Sequence, residues 1–144
     1  MPESSVSGEP DLPEDVRLLL RTRIETYEQI EVLRVLHSDA KRGWSCAELG
    51  EQLHVAVQFV TAAVDALDSG GFVLRSARET GERVSYSPTS PEIKASAERL
   101  LQEYRARPLR IIQLISTYAI ERVRTGALRA FADAFVLKKD LDRG

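Results

Sequence analysis

The sequence predicts a mainly α-helical fold that carries one small β-hairpin. Three observations predict it. Apolar residues recur at three- and four-residue spacing through most of the 144-residue chain. A Ser-x-x-Glu capping box at Ser45 opens a short helix, which a three-residue turn joins to a second one. A Gly-Gly pair then hands over to two short β-prone runs around a turn that contains glycine.

Composition bounds the rest. Hydrophobic residues make up 43% and charged residues 29%, and the mean hydropathy is -0.23, which suits a globular domain with a real core and excludes collagen-like and membrane-spanning classes. The formal net charge of -2 looks unfavourable for a nucleic-acid partner, but it averages two unlike parts. Glu3, Glu9, Asp11, Glu14 and Asp15 fall in the first sixteen residues, where no Lys or Arg occurs, so the rest of the chain is net positive. Cys46 is the one cysteine, so no intramolecular disulfide is available and a reducing, cytoplasmic setting is expected. The N-terminal stretch has neither a basic start nor an apolar core, so no secretory leader is expected.

Residues 1–10 are Ser, Pro, Gly and Glu with little to bury, and read as a disordered acidic tail. Pro13, Glu14 and Asp15 suit a first helical turn, and Val16, Leu20, Ile24 and Tyr27 follow on one face. The pattern continues through Ile30, Leu33 and Leu36, with Thr26 and Gln29 placed to restart the helix and Lys41-Arg42-Gly43 ending it. A short strand is possible at Trp44. Ser45 and Glu48 cap a helix of about nine residues with Ala47, Leu49 and Leu53 on its apolar face. After His54-Val55-Ala56, the residues Val60, Ala63, Val64 and Leu67 mark a second helix that Gly70-Gly71 stops. Phe72–Arg75 and Arg83–Tyr86 form the hairpin around Glu79-Thr80-Gly81-Glu82. From Pro91 the composition is helical again, with breaks expected near Pro108 and at Thr125-Gly126.

This order over residues 26–88 resembles a winged helix-turn-helix domain, the class that includes MarR-like and ArsR-like transcriptional regulators. The resemblance is carried by Ser45 through Val55 and by Val60 through Val73, less than half the chain. It implies a winged domain over residues 11–90, including a preceding helix, and a C-terminal helical dimerisation segment over 91–144. It also implies duplex DNA as partner, with the second helix of the motif in the major groove and the hairpin as a wing.

On that helix the face opposite Val60 presents Gln58, Ala62, Asp65 and Ser69, flanked by Phe59, Thr61 and Ala66. The DNA-binding candidates are therefore Gln58, Thr61 and Ala62, together with the wing residues Arg75, Arg78 and Arg83. None of the helix positions is basic, which favours a second reading: an interaction module that offers Phe59, Ala62 and Ala66 to a protein. The apolar residues after Pro108 are too many for one stripe on a surface helix, so Ile112, Ile115, Tyr118, Phe131 and Phe135 are the candidate dimerisation residues. No enzyme is expected, because no nucleophile and base pair, phosphate loop or metal-spaced cluster occurs, and no cofactor or metal is implied.

Overall fold

The computed structural model describes residues 12–143, with side chains up to residue 136; the tail expected at residues 1–10 lies outside them. The elements run α1 (Glu14–Thr22), α2 (Tyr27–Ser38), α3 (Cys46–Leu53), α4 (Val57–Ser69), β1 (Val73–Arg78), β2 (Gly81–Tyr86), α5 (Pro91–Ala106) and α6 (Pro108–Arg143). The mainly α fold with a two-stranded antiparallel hairpin is the one the sequence predicts.

Local chemistry sets each boundary. The Thr26 hydroxyl accepts from the Gln29 amide at 3.3 Å, which starts α2 afresh after Ile24 has been buried in the link. The Gln29 side chain does not complete a box with Thr26, however; its oxygen accepts from the amide of Glu25 at 2.6 Å. At α3 the box is complete, with Glu48 N–H donating to Ser45 Oγ at 3.1 Å and Ser45 N–H donating to Glu48 Oε1 at 2.9 Å. His54 closes α3 in the left-handed region at φ 56°, and α4 begins three residues after it without a side-chain cap.

Gly71 takes φ +85° as the chain leaves α4, and a Cβ there would come within 2.6 Å of Thr89 Oγ1. The turn delivers Phe72, fully buried, beneath the hairpin. β1 and β2 pair from Val73↔Tyr86 to Arg78↔Gly81, which leaves Glu79-Thr80 as a two-residue loop, shorter than the four-residue turn expected. Trp44 joins the sheet edge through a pair of 2.8 Å backbone hydrogen bonds with Val84, the short strand expected there.

The break expected at Pro108 separates α5 from α6, but the one expected at Thr125-Gly126 is absent, and α6 continues through both residues. One glycine inside a helix costs only about 1 kcal/mol relative to alanine, too little by itself to end a long helix.

One core unites the chain. α2 packs on α4, α3 and β2, whereas α1 packs on α5 and α6, so the first helix groups with the last two. Ile30, Leu33 and Leu36 of α2 meet Val60, Val64 and Leu67 of α4 in the same buried cluster as Val16, Leu20, Leu100 and Ile111. Polar ties join the groups: Tyr104 of α5 donates to Glu31 of α2 at 2.6 Å, Arg23 donates to the Gly70 carbonyl at 2.7 Å, and His37 of α2 lies 3.7 Å from Glu98 of α5. Burial, and then the Glu31 hydrogen bond, push the Tyr104 phenol well above its usual range. Phe72→Ala empties the space under the hairpin and should cost about 3–5 kcal/mol, read as a lower urea midpoint at unchanged slope.

Candidate nucleic-acid interface

α4 has two unlike sides because its apolar residues follow the helical repeat. Val60, Ala63, Val64 and Leu67 are buried, while Gln58, Phe59, Thr61, Ala62, Asp65, Asp68 and Ser69 are exposed and Ala66 is half-buried. The helix therefore holds its Gln58, Thr61 and Ala62 edge in solvent, although the Thr61 hydroxyl donates to the Val57 carbonyl at 2.9 Å and is left as an acceptor. Phe59 stands 55% exposed on the same side, beside exposed Val57.

The three wing arginines divide between two faces. Residues three apart on a strand point to opposite sides, so Arg75 cannot share a face with Arg78. Arg75 lies on the side of Glu82 and turns toward α4, where its guanidinium reaches Asp65 at 2.8 Å, Asp68 at 3.5 Å and Glu82 at 3.1 Å. It is only 24% exposed and neutralises carboxylates of α4, with the Asp65 hydrogen bond foremost in holding its pKa up. A residue placed among the DNA contacts by its charge is thus engaged within the protein.

Arg78 and Arg83 lie on the other face with Ser76 and Ser85, as the register Ser76↔Arg83 and Leu74↔Ser85 requires. There they line a hollow of about 340 Å³ with Lys41, Gly43 and Thr80, and no carboxylate is among the lining residues. Arg83 donates to the Thr80 hydroxyl at 3.3 Å and stands 3.6 Å from Glu48, whereas Lys41 and Arg78 have no ion-pair partner among the described residues. Gly43 admits this approach, since a Cβ there would lie 3.1 Å from Arg83 Cβ. Arg42 completes the group by lying over the Trp44 ring at 3.5 Å. The Glu48 carboxyl is held below its usual range by the Ser45 amide first, and also by Arg83 and Arg42.

Lys41 had appeared only as the end of a helix. The signal that would have found it is Trp44: once that residue pairs with Val84, the link before it must run beside the wing.

The candidate dimerisation residues also divide. Ile115 and Tyr118 are buried within the chain's own core and Ile112 is half-buried, while Phe131 and Phe135 are 71% and 62% exposed. Ile120, Val123, Leu128 and Val136 are exposed with them. Among the described residues no group of His, Cys, Asp and Glu is placed to hold a metal ion, and no helix is long and apolar enough to cross a membrane.

A helix-turn-helix followed by a two-stranded wing, flanked by helices before and after, defines a winged-helix fold. Solved structures of the same architecture include a MarR-family transcriptional regulator from Silicibacter pomeroyi, at 21% identity and a TM-score of 0.51, covering 83% of this chain and 79% of that one. The regulator MosR from M. tuberculosis aligns at 17% identity with a TM-score of 0.49, covering 83% of this chain and 84% of that one. BldR from Sulfolobus solfataricus aligns at 20% identity with a TM-score of 0.47, covering 83% of each chain. No protein-family model and no curated protein matches the sequence. At the identity of the Silicibacter structure, the likeness establishes the fold.

Arg75→Ala leaves Asp65, Asp68 and Glu82 without their shared cation. Surface pairs contribute about 0.2–1 kcal/mol each, so the variant should lose about 1–2 kcal/mol in urea unfolding at 50 mM NaCl. The gap should narrow at 1 M NaCl, where the screening length falls to about 3 Å. A gap indifferent to salt would assign the effect to packing of the arginine stem instead.

Proposed function

We propose that this protein is a DNA-binding transcriptional regulator of the winged-helix type that works as a homodimer in the cytoplasm and is not an enzyme. The observation that carries the reading is the carboxylate-free hollow at Lys41, Arg78 and Arg83, which lies on the wing of a domain whose α4 leaves Gln58, Thr61 and Ala62 open. Cations on the wing serve phosphate contacts, and the polar edge of the helix serves base edges. The Silicibacter structure, a transcriptional regulator by its description, supports the same assignment through its fold. In this reading residues 11–90 contain the DNA reader and 91–144 the dimerisation segment, with α1 acting as part of the helical platform on which the reader is mounted.

Three phosphate contacts per protomer make about six per dimer, so affinity for duplex DNA should fall about a thousandfold between 50 and 200 mM salt. Lys41→Ala should lower the slope of log K against log salt by about 2, one contact per half-site, whereas Arg75→Ala should leave the slope unchanged. Fluorescence anisotropy with a labelled duplex reads both. Absence of binding at 50 mM salt would end this reading and move the function to the second one. That second reading is a protein-interaction module using Phe59, Ala62 and Ala66, favoured by the half-exposed Phe59 ring on a helix that has no Lys or Arg.

Exposed phenylalanines at two successive turns of a helix need a cover, and a two-fold copy of the same helix supplies one that is self-complementary. Light scattering on the full chain should give twice the chain mass of 16.1 kDa. Phe131→Asp with Phe135→Asp should return it to the monomer mass without loss of helical signal. A parent that is already monomeric at tens of micromolar removes the dimer from the proposal.

A further inference from the structure

In a helix-turn-helix the first turns of the second helix are the ones that reach base edges. The solvent side of those turns in α4 is made of Val57, Gln58, Phe59, Thr61 and Ala62, and no Lys or Arg occurs anywhere from Val57 to Ser69. Gln58 is exposed and has no hydrogen-bond partner among the described residues, so its carbonyl and its amino group are both open to a ligand. The Thr61 hydroxyl donates to the Val57 carbonyl at 2.9 Å and has no proton left for a base. The two carboxylates of the helix, Asp65 and Asp68, are engaged by Arg75 at 2.8 and 3.5 Å. At about 100° per residue, Ala62 lies one turn beyond Gln58 on the same face, and Phe59 flanks both.

Each base presents a different edge in the major groove. Guanine offers two acceptors, which the paired donors of arginine or lysine match, and cytosine offers a donor, which a free carboxylate matches. Adenine offers an acceptor beside a donor, which both groups of a glutamine amide match, and thymine offers a methyl group, which apolar side chains cover. The open residues of α4 fit the last two edges and lack the groups for the first two. We propose that α4 reads A·T pairs, with Gln58 bonded to an adenine and Phe59 and Ala62 set against thymine methyl groups. The inference rests on the DNA-binding reading above, to which it adds the class of base and the residues that select it. Phosphate contacts alone would leave the apolar edge of the helix in water, whereas a groove that carries methyl groups covers it. The wing cations meet phosphates and add affinity that is indifferent to the base.

The test is a selection with the full chain from duplexes randomised over about three helical turns, enough for two half-sites, at about 50 mM salt. Anisotropy titrations of the selected duplex follow. The expected result is enrichment of A·T pairs within each half-site, and a loss of about fourfold in affinity when a contacted thymidine is replaced by deoxyuridine, which lacks only the methyl group. Gln58→Ala should reduce the preference for adenine at its position by about tenfold, and Phe59→Ala should shrink the deoxyuridine penalty. Both side chains are exposed, so the Tm of each variant should stay at the parent value. Arg78→Ala should weaken all duplexes alike and leave the preference intact. Selection of G·C pairs, indifference to deoxyuridine at every thymidine, or a preference that survives Gln58→Ala overturns the inference, while salt-sensitive binding in the same titrations leaves the DNA-binding reading standing. Failure to bind any duplex overturns both.

Discussion

The burial of Val60, Ala63, Val64 and Leu67 against α2 and α3 is the constraint on which the rest of the molecule depends. Removing a large aliphatic side chain from water is worth about 1.5–3 kcal/mol, so rotating α4 about its axis would cost several of these terms together. The helix therefore has one orientation, and its outer face is fixed as Gln58, Thr61, Ala62 and Asp65. The same packing decides where the hairpin goes. Leu67 accepts the amide of Phe72 through its carbonyl at 3.0 Å, Gly71 turns the chain, and the buried Phe72 ring anchors β1 beside the end of α4.

Charge is then distributed by strand alternation. The face of the hairpin that meets α4 carries Arg75 and Glu82, and the acids of α4 draw Arg75 into a cluster that couples wing and helix. The opposite face carries Arg78 and Arg83 and collects Lys41 from the link between α2 and α3. Positive charge is thus withheld from the helix and concentrated on the wing. Under the proposed function, that arrangement assigns phosphate contacts to the wing and leaves the helix polar and apolar contacts at base edges rather than cationic ones.

Much of this was legible in the sequence, because the elements that define the fold are local. The box at Ser45 and Glu48, the left-handed turn after Leu53 and the Gly70-Gly71 stop each act within a few residues, and each is where residue chemistry puts it. The division of the arginines was not read, because the strand expected over Phe72–Arg75 stops short of Arg78, which β1 in fact includes. What could not be read is non-local. Nothing near Asp65 or Asp68 in sequence announces that Arg75 will bind both, and nothing near Lys41 announces Arg78, because both meetings depend on the angle at which the hairpin returns. The grouping of α1 with α5 and α6 is of the same kind: Asp15 meets Ser96 and Arg99 across a separation that no periodicity reports.

α6 shows how one helix serves two demands without conflict. With 36 residues it is about 54 Å long at 1.5 Å per residue. Its first three turns bury Ile111, Leu114, Ile115 and Tyr118 against the rest of the chain. Beyond that contact Ile120, Val123 and Phe131 are exposed on one side of the helix, which also carries Arg124, and Arg122, Thr125 and Arg129 lie on the other. Continuity through Gly126 is what keeps the two sides in register, because a break there would rotate Phe131 and Arg129 away from the stripes to which Ile120 and Arg122 belong.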